Sequence, residues 1–270
     1  MSKICPFWLA SPTLKEIQKR LGKNMNTGNS ILTGAGLKLM VTGKSKALTP
    51  RHPAKEEKRP IVGKETIGEI ISQVKENWHY PRKMYRFETL SQKWSSYGIG
   101  MKSISTPTEA VLDLFKKETV MDCERTALSI VYRLLLEKVG QEKFNSLFPE
   151  GLRVNSCFNF KSVPRDLAHV LEMKQLKWFK DLEVGDWTYI QSDPDYFETN
   201  RGGSASGEHV VVVSTDPLLF VGLTNSTQPM AYEDWLEMLF KSAKGISREN
   251  IKGIIRHDGN ILVRRIKADL

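Results

Sequence analysis

The chain has 270 residues, enough for one large domain or two small ones, and its three cysteines, Cys5, Cys123 and Cys157, lie far apart with no CxxC pair and no histidine at metal-ligand spacing, which argues against a disulfide framework and against zinc. The net charge of +9 sits in residues 1–60, which hold 12 Lys/Arg against 3 Asp/Glu, while the other 210 residues hold 28 of each. No apolar run approaches the roughly 18–20 residues that span a membrane, and "ICPFWLA" is too short and too weakly flanked for a secretory signal, so a reducing, cytoplasmic setting is expected.

Residues 1–60 read as a basic, flexible arm ahead of a globular domain over 61–270, because "NMNTGNS", "TGAG" and "TPRHPAKEEKRP" are rich in turn and disorder formers. Its charge suits an acidic partner, nucleic acid or lipid, or a plain solvated linker. With only Phe7 and Trp8 as aromatics, it is a poor platform for stacking bases. A short helix is expected over 12–22, ended by Gly22, and a second over 64–77, where Ile67, Ile70, Ile71 and Val74 follow helical spacing. "WHYPRKMYRFETLSQKWSSYG" concentrates aromatics and reads as core packing or a binding rim. Thr106-Pro107 then opens a helix with Ala110, Val111, Leu114 and Phe115 on one side.

In "MDCERTALSIVYRLLLEKVG" the residues Ala127, Ile130, Val131, Leu134 and Leu135 fall at helical positions 0, 3, 4, 7 and 8, with Gly140 as the stop. Asp122 stands at the N-cap, so Cys123 enters the first turn. Beyond it the pattern turns to strands: "GDWTYIQ" (185–191), "EHVVVVS" (208–214) and "LLFVGLT" (218–224). "YEDWLEMLFKSA" returns to helix, and "IKGIIRH" and "ILVRRI" form a closing hairpin across Asp258-Gly259-Asn260. Helices first and strands after, with few βαβ alternations, give an α+β class. No glycine-rich phosphate loop precedes a helix, so no nucleotide cofactor is expected, and no metal.

A thiol in a first helical turn is favoured as a thiolate, but only by roughly 0.3–1 kcal/mol, less than one pKa unit at about 1.36 kcal/mol each. The charge of Asp122 opposes even that. A nucleophilic Cys123 therefore needs a base; otherwise it is a small buried residue like most cysteines. "SGEHVVVVS" offers two bases. Glu208 shares a strand face with Val210 and Val212, and His209 with Val211 and Val213, so the two point to opposite sides. Proton transfer from a thiol of pKa about 8.5 is uphill by roughly 3 kcal/mol to a histidine at about 6.5. To a glutamate at about 4.3 it is uphill by roughly 6 kcal/mol. A glutamate works only where burial or a second carboxylate, such as Asp122, raises its pKa.

The stretch "MDCERTALSIVYRLLLEKVGQEKFNSLF" resembles the helix of the bacterial spore-coat transglutaminase family, the protein-glutamine gamma-glutamyltransferases of Bacillus, in which an acid directly precedes the nucleophilic cysteine and a "GxxKFN"-like stretch follows, here Gly140 to Asn145. "GEHVVVVSTDPLLFVGL" and "LEVGDWTYIQSDPDYF" are similar to the family's Gly-Glu-Asn and Gly-Asp strands, and the resemblance covers about residues 107–240. It implies a papain-like, NlpC-related α+β fold over 61–270, with a helix N-terminus carrying the nucleophile packed on an antiparallel sheet. It also implies a calcium-independent reaction joining glutamine and lysine side chains of protein substrates. Cys123 is then the nucleophile, Glu208 its partner and Asp122, a glutamate in the family, the preceding acid. The sequence departs from the family at three places: the family's strand histidine falls on Val221, its bulky residues before Gly-Glu become Ala205 and Ser206, and His209 replaces an asparagine. That last change keeps a cysteine peptidase or amidase built on Cys123 and His209 as the alternative. A non-enzymatic interaction protein with an inert thiol is the third reading.

Overall fold

The computed structural model describes residues 63–79, 88–97, 100–155, 160–193, 196, 206–223, 229–242 and 248–270, all within one unit spanning Glu57–Leu270. The expected arm over 1–60, its helix over 12–22, Cys5, Cys157 and His52 lie outside the described residues.

Helix α1 (Lys64–Asn77) turns Ile67, Ile70 and Val74 inward, as their spacing requires. Four short strands follow: β1 (Trp78–His79), β2 (Glu88–Thr89), β3 (Trp94–Tyr97) and β4 (Gly100–Ser103). Trp78 and Trp94 are buried, and their indole N–H groups donate to the carbonyls of Leu114 (3.2 Å) and Ala110 (3.1 Å), so the aromatic-rich segment serves the core at these two positions. Helix α2 (Pro107–Lys116) starts where Thr106 accepts the Glu109 N–H at 3.3 Å, with Pro107 in the first turn, where its missing N–H matters least. After β5 (Thr119–Val120) comes α3 (Cys123–Val139), which stops at Gly140 with φ +78°. Helix α4 (Gln141–Leu147) follows directly.

Then come β6 (Arg153–Val154), β7 (Leu171–Leu176), β8 (Trp187–Gln191), β9 (Gly207–Thr215) and β10 (Leu218–Val221). Helix α5 (Tyr232–Ser242) precedes β11 (Gly253–Ile254), β12 (Arg256–His257) and β13 (Asn260–Ile266). The main sheet runs β10-β9-β8-β13-β12, with β7 also on β13 and β11 also on β8, and every pairing is antiparallel. The closing hairpin pairs His257 with Asn260 across Asp258 (φ +51°) and Gly259 (φ +79°), the two left-handed residues a tight turn needs.

The sheet is covered on both faces. Trp187, Val211, Val213, Leu262 and Ile266 join the core that contains α1, α2 and α3; Ile190, Val210, Val212, Ile261 and Val263 pack with Trp235 and Leu239 of α5. This is a mixed α+β arrangement, and no described helix is long and apolar enough to cross a membrane.

Four features differ from the sequence reading. The strands do not all follow the helices, since β1 to β5 precede α3. The expected single face of α3 is a full circumference: Glu124 through Leu136 are all buried, because the helix lies between the sheet and the other helices. The strand expected over 218–224 stops at Val221, where Gly222 passes so close to β9 that a Cβ would stand 2.9 Å from the His209 carbonyl oxygen. Strand β7, "LEMKQL", went unassigned since each of its residues is a good helix former; six paired positions on β13 override that preference.

Candidate active site

Cys123 is the first residue of α3 and is half-buried. Asp122 holds the helix start, accepting the Arg125 backbone N–H at 2.9 Å and pairing with the Arg125 guanidinium. Arg125 is fully buried, so the aspartate is fixed from below as well as by the helix.

The sulfur lies against β9, past the end of β10. The last β10 pairing joins Val221 to Val211, which leaves the outer edge of Gly207 to His209 without a strand partner. Two groups of β9 use that gap: the Glu208 carboxylate accepts a hydrogen bond from the thiol, and the His209 backbone N–H donates one to the sulfur. The Glu208 carboxylate also accepts the backbone N–H of Leu223. Alternation alone favours His209, since Val211 and Val213 share its face and pack with α3, whereas Val210 and Val212 pack with α5. At the open edge, however, a side chain from the far face can reach the sulfur, and the imidazole turns elsewhere. Its Nδ1 accepts the Trp187 indole N–H at 3.1 Å, and its ring lies among Tyr189 (4.7 Å between centroids), Phe160 (5.6 Å) and Trp187 (5.7 Å). Val221, where the resemblance puts a histidine, is fully buried.

The charges around the thiol hold it protonated. Burial pushes the Cys123 thiol well up, the carboxylates of Glu208, Asp122 and Glu124 push it further, and the His209 N–H alone pulls it down. Burial likewise pushes Glu208 well above the usual carboxylate range, with Asp122 adding to it and the bonds from Leu223 and Cys123 opposing. Glu208 is 6% exposed, and its Oε1 has no hydrogen-bond partner. A proton on the pair can therefore pass between sulfur and carboxylate, while two negative charges at once are disfavoured. His209 is held down to about 3, by burial and then by Arg264, so its ring is neutral. An indole N–H only donates, so the lone pair is on Nδ1 and the proton on Nε2.

The sequence reading did not single out Tyr189, Glu124 or Arg264. Tyr189 is directly opposite His209 on β8, and its hydroxyl bonds Ser206; burial first, then the nearby Cys123, Glu208 and Glu124, keep that hydroxyl protonated. Glu124 is buried, with Oε1 3.9 Å from Arg264 Nη1. The Arg264 guanidinium lies 4.5 Å from the Phe160 ring and 4.3 Å from the Trp187 ring, and its Nε donates to the Ser162 carbonyl at 3.1 Å. The signal was available in "ILVRRI": in a strand covered on both faces, two adjacent arginines cannot both reach water. Arg265, on the other face, holds both carboxylate oxygens of buried Asp186 at 2.7 and 2.6 Å.

His169 bonds the Leu147 carbonyl at 2.9 Å and His257 pairs with Asp258 at 3.1 Å, both through contacts that do not involve Cys123. Among the described residues no group of three or more His, Cys, Asp and Glu side chains is arranged to hold a metal ion.

No protein-family profile matches the chain, and no curated protein matches its sequence. A solved structure does: the transglutaminase from Geobacillus stearothermophilus, without its C-terminal extension, superposes with a TM-score of 0.51 over 75% of this chain and 90% of that one, at 17% identity. At that identity the likeness is one of backbone: the chain has a mixed α+β, transglutaminase-like fold.

Proposed function

We propose that the protein is a bacterial protein-glutamine gamma-glutamyltransferase of the papain-like kind found in Bacillus spore coats, acting without calcium, with residues 61–270 as its catalytic domain. The observation that carries the reading is the hydrogen bond from the Cys123 thiol to a buried carboxylate, Glu208, at the head of α3. The fold likeness supports the same reaction class.

Cys123 attacks the carboxamide carbon of a glutamine side chain as its proton moves to Glu208. The developing oxyanion is stabilised by N–H groups of the first turn of α3. Collapse of the tetrahedral intermediate releases ammonia, which takes its proton from Glu208, and leaves a thioester on the sulfur. A lysine amine then attacks the thioester carbonyl. Glu208 or Asp122 accepts the proton that a lysine of pKa about 10.4 must lose. The isopeptide leaves and the thiol is restored; water in place of lysine converts the glutamine to glutamate. The substrates are proteins carrying glutamine and lysine, and the basic residues 1–60 contact an acidic partner. The Cys–His alternative has less support, because neither ring nitrogen of the neutral His209 is placed to take the thiol proton.

The test is incubation with a glutamine-containing protein and a labelled primary amine, reading incorporation and ammonia release together. Equal release of ammonia and uptake of amine, both abolished in Cys123→Ala with the fold retained, is the expected result. Full crosslinking by that variant would refute the assignment.

A further inference from the structure

We propose that Arg264 is a positioning residue of this site: seated against both Phe160 and Trp187, it holds the His209 ring off the thiol and leaves the proton transfers to Glu208. The inference rests on reading Cys123 and Glu208 as the working pair.

By residue type the imidazole is the better base, by roughly 3 kcal/mol. It is also only one residue from Glu208, on the face that meets α3. What surrounds it removes that advantage. The groups facing the ring are Trp187 and Tyr189 from β8, Phe160 from the preceding loop, and the charge of Arg264 from β13, while Cys123 of α3 meets the His209 backbone N–H and Glu124 meets Arg264. Of these, Arg264 is a permanent cation, fully buried, and it lowers the tendency of His209 to take a proton. A second cation beside it would be repelled in a medium of low dielectric. Glu124 supplies a countercharge to Arg264 at 3.9 Å, and the Phe160 and Trp187 rings, inclined 71° to each other, flank the guanidinium carbon at 4.5 and 4.3 Å. The Trp187 ring thus has two tasks: its face carries Arg264 and its N–H takes the Nδ1 lone pair of His209. Charging His209 would put a proton on Nδ1 against that N–H, so it requires the Trp187–His209 contact to open.

The experiment follows the ring nitrogens of His209 by ¹⁵N NMR in the full chain between pH 8 and 5, with iodoacetamide alkylation of Cys123 over the same range. In the wild type the ring is expected to keep its proton on Nε2 and not to charge above pH 5. In Arg264→Gln it is expected to charge within that range, with alkylation rising at least threefold at the pH where it does. Arg264→Lys, which retains the charge, should leave the ring uncharged. Should Arg264→Gln not fold, Glu124→Gln/Arg264→Gln removes both members of the pair and is read the same way. A wild-type His209 that charges above pH 5 overturns the proposal. So does an unchanged titration in the folded variant, which would assign the effect to burial alone. A chain that transfers no amine, yet shows the expected nitrogen shifts, would sink the enzymatic reading and leave the role of Arg264 in controlling His209 intact.

Discussion

Replacing Glu208 by glutamine should move two properties of Cys123 in opposite directions. The carboxylate is hydrogen-bonded to the thiol and pushes it up, so removing its charge brings the thiol down. Two unit charges about 4 Å apart interact by about 4 kcal/mol at an effective dielectric of 20. Cys123 as a residue keeps some exposure, and discounting for solvent leaves about 1.4 kcal/mol, or one pKa unit. Below its pKa the thiol then holds about tenfold more thiolate. Each thiolate is less reactive by about threefold, because nucleophilicity falls with basicity at a slope of about 0.5. The net expectation is about threefold faster alkylation by iodoacetamide at pH 8 to 9, measured as second-order rates with mass detection on Cys123. In the proposed reaction the carboxylate carries the proton, so amine incorporation should fall by about 100-fold or more. Alkylation that is slower than wild type, or incorporation that is undiminished, would refute the reasoning.

Other perturbations reach different parts of the same frame. Gly207→Ala would put a Cβ 2.6 Å from the Ile190 carbonyl oxygen and against the Tyr189 hydroxyl; a loss of about 1–3 kcal/mol in urea unfolding is expected, together with a drop in turnover as Glu208 is displaced. Arg265→Met leaves Asp186, whose side chain has 0% exposure, with a buried uncompensated charge. It should cost about 3 kcal/mol, seen as a fall of about 6–12 °C in Tm. His209, held at about 3, binds its proton later than the unfolded chain does near 6.5. Its stabilising contribution is complete above pH 6.5 and is lost as pH falls toward 3, about 3 kcal/mol by pH 4.5. His209→Gln should flatten that slope in urea titrations at pH 7 and 4.5.

Much of this frame could be read from residue patterns. The helix carrying Cys123 was legible at both ends, from a capping aspartate and a stopping glycine, because these signals act over one turn of chain. The valine run of β9 was legible for the same local reason. Side-chain alternation correctly assigned Val210 and Val212 to one core and Val211 and Val213 to the other. It did not tell which of Glu208 and His209 meets the sulfur, since that depends on where β10 ends, a matter of tertiary close approach at Gly222. The buried Glu124–Arg264 pair was hidden differently: it joins positions 140 residues apart, and nothing local marks a charge as internal.

Strand β13 comes last among the described strands, yet it lies in the interior of the sheet, between β8 and β12 and against β7. A nascent chain can form α3 early, but the surface against which Cys123 rests is incomplete until residues 260–266 have been added. The setting of Cys123 is therefore completed late in synthesis, and a chain interrupted before that strand carries the cysteine without its full surroundings.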